Sequence, residues 1–142
     1  MENQLHYALI RTYFTHRHRS RQEFQALDLS DGQPKILLHL LSGDGVLQKE
    51  LSGQCGVRPA TMTSLLQNMQ SKGLVKKEET RVSGGKRGYL IFLTEKGRSL
   101  ACQVKEIMEQ VDEISFAGFS EQEKEETMRF LDRIVRNLQS EG

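Results

Sequence analysis

Residues 47–97 read LQKELSGQCGVRPATMTSLLQNMQSKGLV followed by KKEETRVSGGKRGYLIFLTEKG. The first part predicts a short helix over residues 48–55, with Leu51 as its inward anchor. Gly56 follows as a left-handed stop, a conformation that glycine reaches without a Cβ clash. Val57 fills the turn. Pro59 fits the first turn of the next helix, where its missing N–H is one of the unpaired donors in any case. That helix runs to Lys72 and stops at Gly73. Met62, Leu65, Leu66 and Met69 form its apolar face; Ala60, Thr61, Thr63, Ser64, Gln67, Asn68 and Ser71 form the other. An ordinary solvent-facing helix carries Glu and Lys there, so this face of small and amide side chains is built to press against something. Residues 74–79 and 88–94 have strand character, the second with Tyr89, Ile91 and Phe92. Between them lies the loop 80–87, TRVSGGKR, too polar and glycine-rich to bury, which projects as a wing.

Helix, turn, helix and basic hairpin in this order make a winged helix-turn-helix. Outward from it, Leu5, Leu9 and Tyr13, with Ile10 and Phe14 beside them, predict a helix to about residue 27. A second helix starts near Asp31, takes Pro34 in its first turn and ends at Ser42-Gly43-Asp44-Gly45. After the wing, Thr94 or Glu95 opens a long helix in which Leu100, Val104, Ile107, Val111 and Ile114 recur at alternating steps of 4 and 3. That period favours helix-on-helix packing. The bend at residues 116–119 precedes Ser120-Glu121-Gln122-Glu123, a capping-box pattern, and a last helix with Met128, Leu131, Val135 and Leu138 in a row. The fold class is therefore mainly α with a small β-hairpin wing. A winged helix-turn-helix lobe occupies 30–98 of a single domain 1–142, and helices in 1–27 and 99–142 flank it. Those terminal helices carry more apolar stripe than a small winged unit covers, so they are expected to form the dimerisation region of a homodimer, two-fold pairs being the commonest oligomers.

Composition bounds the function. The chain of 142 residues is 37% hydrophobic and 27% charged, ordinary values for a globular protein. No apolar run approaches the roughly 20 residues that cross a bilayer, and residues 1–20 lack a secretion signal, so a cytoplasmic protein without membrane partners is expected. The net charge is only +1, but it is unevenly spread. Residues 1–57 carry six basic and six acidic side chains, 58–98 nine and three, and 99–142 five and ten. Positive charge is thus concentrated on the helix-turn-helix and wing, where local phosphate attraction counts for more than the total.

Enzyme chemistry has little support. Ser83-Gly84-Gly85-Lys86 resembles a phosphate loop, but Thr80 and Arg87 stand where that motif needs Gly and Ser or Thr. His16 and His18 point about 200° apart on a helix, which prevents joint chelation. No catalytic constellation, metal site or cofactor is expected. Of the cysteines, Cys55 closes a helix whose C-terminus disfavours a thiolate, which leaves Cys102 as the redox candidate.

Duplex DNA explains more of the pattern. The helix N-terminus beside Arg58 supplies free amides and a positive dipole suited to phosphate, and Thr61, Thr63 and Ser64 add hydroxyls. Gln67 and Asn68 each carry the paired donor and acceptor that read an adenine edge in the major groove. Lys72 adds a charge, and Arg81, Lys86 and Arg87 at the wing tip suit the adjacent minor groove. A winged helix that docks another protein through the same face, without specific DNA binding, is the alternative function.

Residues 30–98 resemble the MarR family of bacterial transcription regulators. The likeness is carried by Gln48-Lys49-Glu50-Leu51, Pro59-Ala60-Thr61-Met62-Thr63, Lys72-Gly73-Leu74-Val75 and Leu93-Thr94-Glu95-Lys96-Gly97 in this order and spacing, and the terminal helices extend it over nearly the whole chain. The resemblance implies a homodimer joined through its first and last helices that binds a pseudo-palindromic operator, most often as a repressor, and is released by a small ligand or an oxidant. The ligand would be a small aromatic or lipophilic effector in a cleft near Tyr7, Tyr13 and Phe14. Two departures stand out. Gly85 replaces the acid that commonly precedes the paired basic residues of the wing, so the bracing salt bridge is missing and a looser wing is expected. Ser64 stands where relatives commonly have Arg.

Overall fold

The computed structural model describes residues 3–140; the outermost residues of the two terminal segments, 1–2 and 141–142, lie outside the described residues. The elements run α1 (Leu5–Ala26), α2 (Gln33–Ser42), β1 (Val46–Leu47), α3 (Gln48–Cys55), α4 (Pro59–Ser71), β2 (Val75–Arg81), β3 (Arg87–Leu93), α5 (Glu95–Ser115) and α6 (Glu121–Ser140). A three-residue 3-10 turn, Ser83–Gly85, joins β2 to β3.

The sheet has three strands in the order β1-β3-β2, all antiparallel. The third strand corrects the two-stranded hairpin expected from sequence. Val46 pairs with Ile91 and Leu47 with Leu90, and Gly45 N–H donates to Ile91 C=O at 2.7 Å. Two residues are too few to show any alternation, so the strand exists only through its partner. Asp44 secures it: Oδ2 accepts from Leu93 N–H at 2.9 Å and pairs with the Arg98 guanidinium at 3.2 Å.

The core is built from the inward faces of α2, α3, α4, β2, β3 and α5. Ile36, Leu37 and Leu40 from α2, Leu51 from α3, Met62, Leu66 and Met69 from α4, Leu74, Ile91 and Val104 are all buried. α4 ends as expected at Gly73, whose φ of 75° lets Leu74 N–H reach back to Met69 C=O at 2.9 Å. α5 starts on that same corner. Thr94 caps it, accepting from Gly97 N–H at 3.0 Å. Gly97 lies so close to Leu74 that a Cβ there would stand 1.9 Å from the Leu74 carbonyl oxygen; only glycine allows the helix to start here.

α5 then runs past α2 and α1. The capping box at the start of α6 is formed in both directions: Ser120 N–H donates to Glu123 Oε1 at 2.8 Å, and Glu123 N–H to Ser120 Oγ at 3.0 Å. α6 buries no residue. No helix among the described residues is long and apolar enough to cross a membrane.

Candidate nucleic-acid interface

α3 and α4 meet through a turn set by two residues. Gly56 at φ 64° closes α3, and Val57 N–H returns to Ser52 C=O at 2.9 Å. Arg58, extended at φ −65° and ψ 145°, then launches α4 with Pro59 in its first turn and no side-chain cap. The uncapped first-turn amides therefore face outward beside Arg58, an arrangement suited to an anion. Met62, Leu66 and Met69 point into the core, and Thr61, Thr63, Ser64, Gln67, Asn68 and Ser71 are exposed, which is the division the sequence predicts. Ser64, Gln67, Asn68, Gln70 and Ser71 line a shallow groove along the helix.

Several of these side chains are already engaged. Thr63 Oγ1 donates to Pro59 C=O at 3.0 Å and accepts from Gln48 Nε2 at 3.1 Å, so α3 holds its hydroxyl against the backbone. Asn68 Oδ1 accepts from Gln33 Nε2 at 2.8 Å, which leaves Asn68 without the free donor and acceptor pair that an adenine edge needs. Lys72 is turned to the α1–α2 loop: its Nζ pairs with Asp28 Oδ2 at 3.3 Å and also donates to Asp28 C=O. It works as a strut, a position hidden from sequence because Asp28 lies 44 residues away. Among the described residues Thr61, Ser64 and Gln67 make no side-chain hydrogen bond and stay available.

The wing is tighter than its composition suggests. Register continues to the Arg81–Arg87 pair, so Thr80, Arg81 and Arg87, expected in the loop, belong to strands. The strand pairing, which is non-local, outweighs the local glycine signal. The remaining tip turns through Gly84 and Gly85 at φ 80° and 73°, with Val82 N–H donating to Lys86 C=O at 2.9 Å. The expected looseness is met by two other braces. Arg87 Nε contacts Glu79 Oε1 at 2.6 Å, and Arg81 Nη1 donates to Gly85 C=O at 3.3 Å. Along the strands Lys77 lies over the Tyr89 ring, 5.3 Å from its centroid. Lys86 has no acidic partner among the described residues.

Behind α4 a cleft of about 700 Å³ opens between α1, α2 and the α4 N-terminus, with Met108 of α5 at its back. Tyr13 lines it, but Tyr7 and Phe14 do not. The two belong to the exposed apolar side of α1, a distinction that helical spacing alone did not make. The polar groups of the cleft centre on Asp31, which pairs with Arg17 at 2.6 Å and Arg21 at 3.7 Å. None of the three reads as a site residue in the sequence, where Arg17 and Arg21 look like ordinary surface charges and Asp31 like a helix start. Arg58 and Thr61 form part of the cleft wall as well as of the α4 N-terminus. Cys102 is exposed on α5, whereas Cys55 is buried, and that burial pushes its thiol up against a smaller opposing pull from the Lys35 ammonium. Among the described residues no three His, Cys, Asp or Glu side chains are grouped to hold a metal.

Comparison with known proteins shows what this geometry is similar to. The model of the MarR family matches residues 27–88. The HTH-type transcriptional regulator YybA of Bacillus subtilis is 27% identical over 120 residues, 84% of this chain and 79% of that one. The crystal structure of the transcriptional regulator PA3341 superposes with a TM-score of 0.84 at 29% identity, over 96% of this chain and 98% of the other. A MarR family regulator from Listeria monocytogenes, solved in complex with 26mer DNA, superposes with a TM-score of 0.85 at 23% identity, over 96% and 89% of the two chains. Proteins of this kind regulate transcription and are not enzymes. By its sequence match over residues 27–88, and by the six helices and winged sheet among its described residues, the chain is similar to the MarR family of transcription regulators.

Proposed function

We propose that the protein is a homodimeric repressor that binds a pseudo-palindromic DNA operator through α4 and the wing. The observation that carries this is the outer face of α4, where Thr61, Ser64 and Gln67 are exposed and unengaged beside Arg58. A helix presenting free amides, hydroxyls and a carboxamide, with positive charge at both borders, matches a major groove flanked by phosphates. The Listeria relative bound to a 26mer supports the same docking for this fold. Arg58 and Lys86 are the cations placed to hold phosphates; Arg81 and Arg87 contribute less because wing contacts already engage them. Lys72 serves the fold. The exposed apolar rows of α1 and α6 supply the contact between two copies, so that the lobe 30–98 reads DNA while the flanking segments join the pair. A small aromatic or lipophilic effector in the cleft would bear on Arg58 and Thr61 and shift α4, and release of the operator would follow.

Selection of bound sequences from random duplex DNA tests this. A palindrome with half-sites about 10 base pairs apart is expected, one helical turn for recognition helices on one side of the duplex. Lys86→Ala should lower the slope of log affinity against log salt by about 0.9, one phosphate contact. Gln67→Ala should change base preference and leave that slope alone. No enriched sequence, with an affinity indifferent to salt, would overturn the proposal and favour a protein partner for the same face.

A further inference from the structure

We infer that Gln33, buried behind α4, fixes the polarity of the Asn68 carboxamide and makes Asn68 a hydrogen-bond donor to DNA, favouring G or T over C at the base it faces. This rests on α4 being the DNA-reading helix.

The polarity follows from a backbone group that has no choice. Ser30 N–H can only donate, and it donates to the Gln33 side chain at 3.0 Å, so the atom that receives it is Oε1. The other end of that carboxamide is then Nε2, which can only donate. It lies 2.8 Å from Asn68, whose facing atom must be the acceptor Oδ1. Gln33 N–H closes the arrangement by donating to Ser30 C=O at 3.1 Å. Gln33 is 0% exposed. Turning Asn68 over would set two donors against each other and leave the Nε2 of buried Gln33 without its acceptor, which costs the desolvation of that group.

The segment that carries Gln33 is itself held to α4. Asp28 is fixed by Lys72. Gly32, at φ 92°, approaches so near that a Cβ would stand 2.9 Å from Leu65 Cδ1. Asn68 lies in the groove with Ser64 and Gln67, and its Nδ2 has no protein partner among the described residues. With Oδ1 taken, the residue offers a base the donor group Nδ2 alone. Guanine O6 and N7 and thymine O4 accept it in the major groove, whereas cytosine presents only its own N4 donor. The two-point reading of adenine through Oδ1 and Nδ2 together is lost.

The experiment is selection from random duplexes with the full-length wild type, Asn68→Ala, Gln33→Glu and Gln33→Met. Asn68→Ala identifies the base position by flattening its preference. At that position the wild type should favour G or T over C by roughly tenfold, the scale of one base contact. In Gln33→Glu both carboxylate oxygens accept, so Ser30 N–H keeps its partner while Asn68 turns Nδ2 inward and Oδ1 outward. The preference should then swing to C or A at this one position, although residue 33 touches no DNA. Gln33→Met removes the constraint, and the preference should relax to about twofold with adenine gaining, Asn68 being free to use both atoms. Thermal melts establish which variants fold, and Gln33→Met carries the test should Gln33→Glu not fold. An enriched motif whose Asn68 position is unmoved by a folded Gln33 variant, which favours C in the wild type, or in which Asn68→Ala flattens nothing, overturns this inference alone. Enrichment of no sequence by the wild type overturns the DNA reading with it.

Discussion

The winged lobe and the terminal helices are built on opposite terms. In the lobe, Ile36, Leu37, Leu40, Leu51, Met62, Leu66, Met69 and Ile91 are sealed from water within one chain. In α6 the row Met128, Leu131, Val135 and Leu138 stays 42 to 74% exposed, and on α1 Ile10, Tyr13 and Phe14 are exposed by more than 60%. Exposed apolar patches of this extent mark a surface that another partner covers. The lobe thus carries its own stability, while the terminal helices leave an apolar surface that, on the proposed function, a second copy covers. On the proposed function, that division keeps the reading surface ordered while the spacing of two such surfaces is set elsewhere.

The sharpest way to break the contrast is to damage one side and watch the other. Leu37→Ala empties a fully buried site, and its cost should be about 2–5 kcal/mol whatever the protein concentration. Denaturant unfolding at two concentrations reads it; a loss below about 1 kcal/mol would mean the lobe core is not the main store of stability. Leu131→Asp should do the reverse. Placed in the proposed contact between copies, a charge should raise the dimer dissociation constant at least about a hundredfold, roughly 2.7 kcal/mol, while the lobe keeps its spectrum. Sedimentation at graded concentrations measures this. A variant that remains as dimeric as the wild type would assign the stripe to another partner.

The same contrast explains what the sequence disclosed. Helices showed through local signals: Gly56 and Gly73 as stops, Pro34 and Pro59 as starts, Ser120 with Glu123 as a cap. The apolar rows that define the core of α4 and the exposed face of α6 were equally plain, since both follow one helix's own period. What stayed hidden depends on partners far along the chain. β1 is two residues that become a strand only against Ile91 and Leu90. The Arg81–Arg87 pair belongs to strands because register carries that far, against a local composition that argues for loop. Lys72 and Asn68 looked like free members of the outer face until Asp28 and Gln33 were brought to them. Arg17, Arg21 and Asp31 acquire meaning only when a cleft gathers them.

Within the wing, the comparison can be sharpened by charge. Arg87 is held by Glu79 at 2.6 Å, while Lys86 has no such partner. On the proposed docking, Arg87→Ala should lower the salt slope by less than the roughly 0.9 expected for Lys86→Ala, since releasing Arg87 also means breaking an ion pair. Glu79→Gln should free Arg87 and steepen the slope by up to about one contact. Equal slopes for Arg87→Ala and Lys86→Ala would show that the Glu79 contact does not survive on DNA.

The smallest expected effect concerns the two cysteines, one in each kind of environment. Burial raises the Cys55 thiol above its ordinary 9.0, with a weaker opposing influence from Lys35, whereas Cys102 is exposed. In the unfolded chain the Cys55 thiol ionises near its ordinary value while the folded chain still holds the proton. Its contribution to stability is therefore complete below about pH 9 and is lost as pH rises from there through the folded pKa. Cys55→Ala should make the fall in unfolding midpoint between about pH 8 and about pH 10 shallower than in the wild type. Parallel curves for the wild type and Cys55→Ala would place the thiol in contact with water, and with that the seal at the end of α3 would fail.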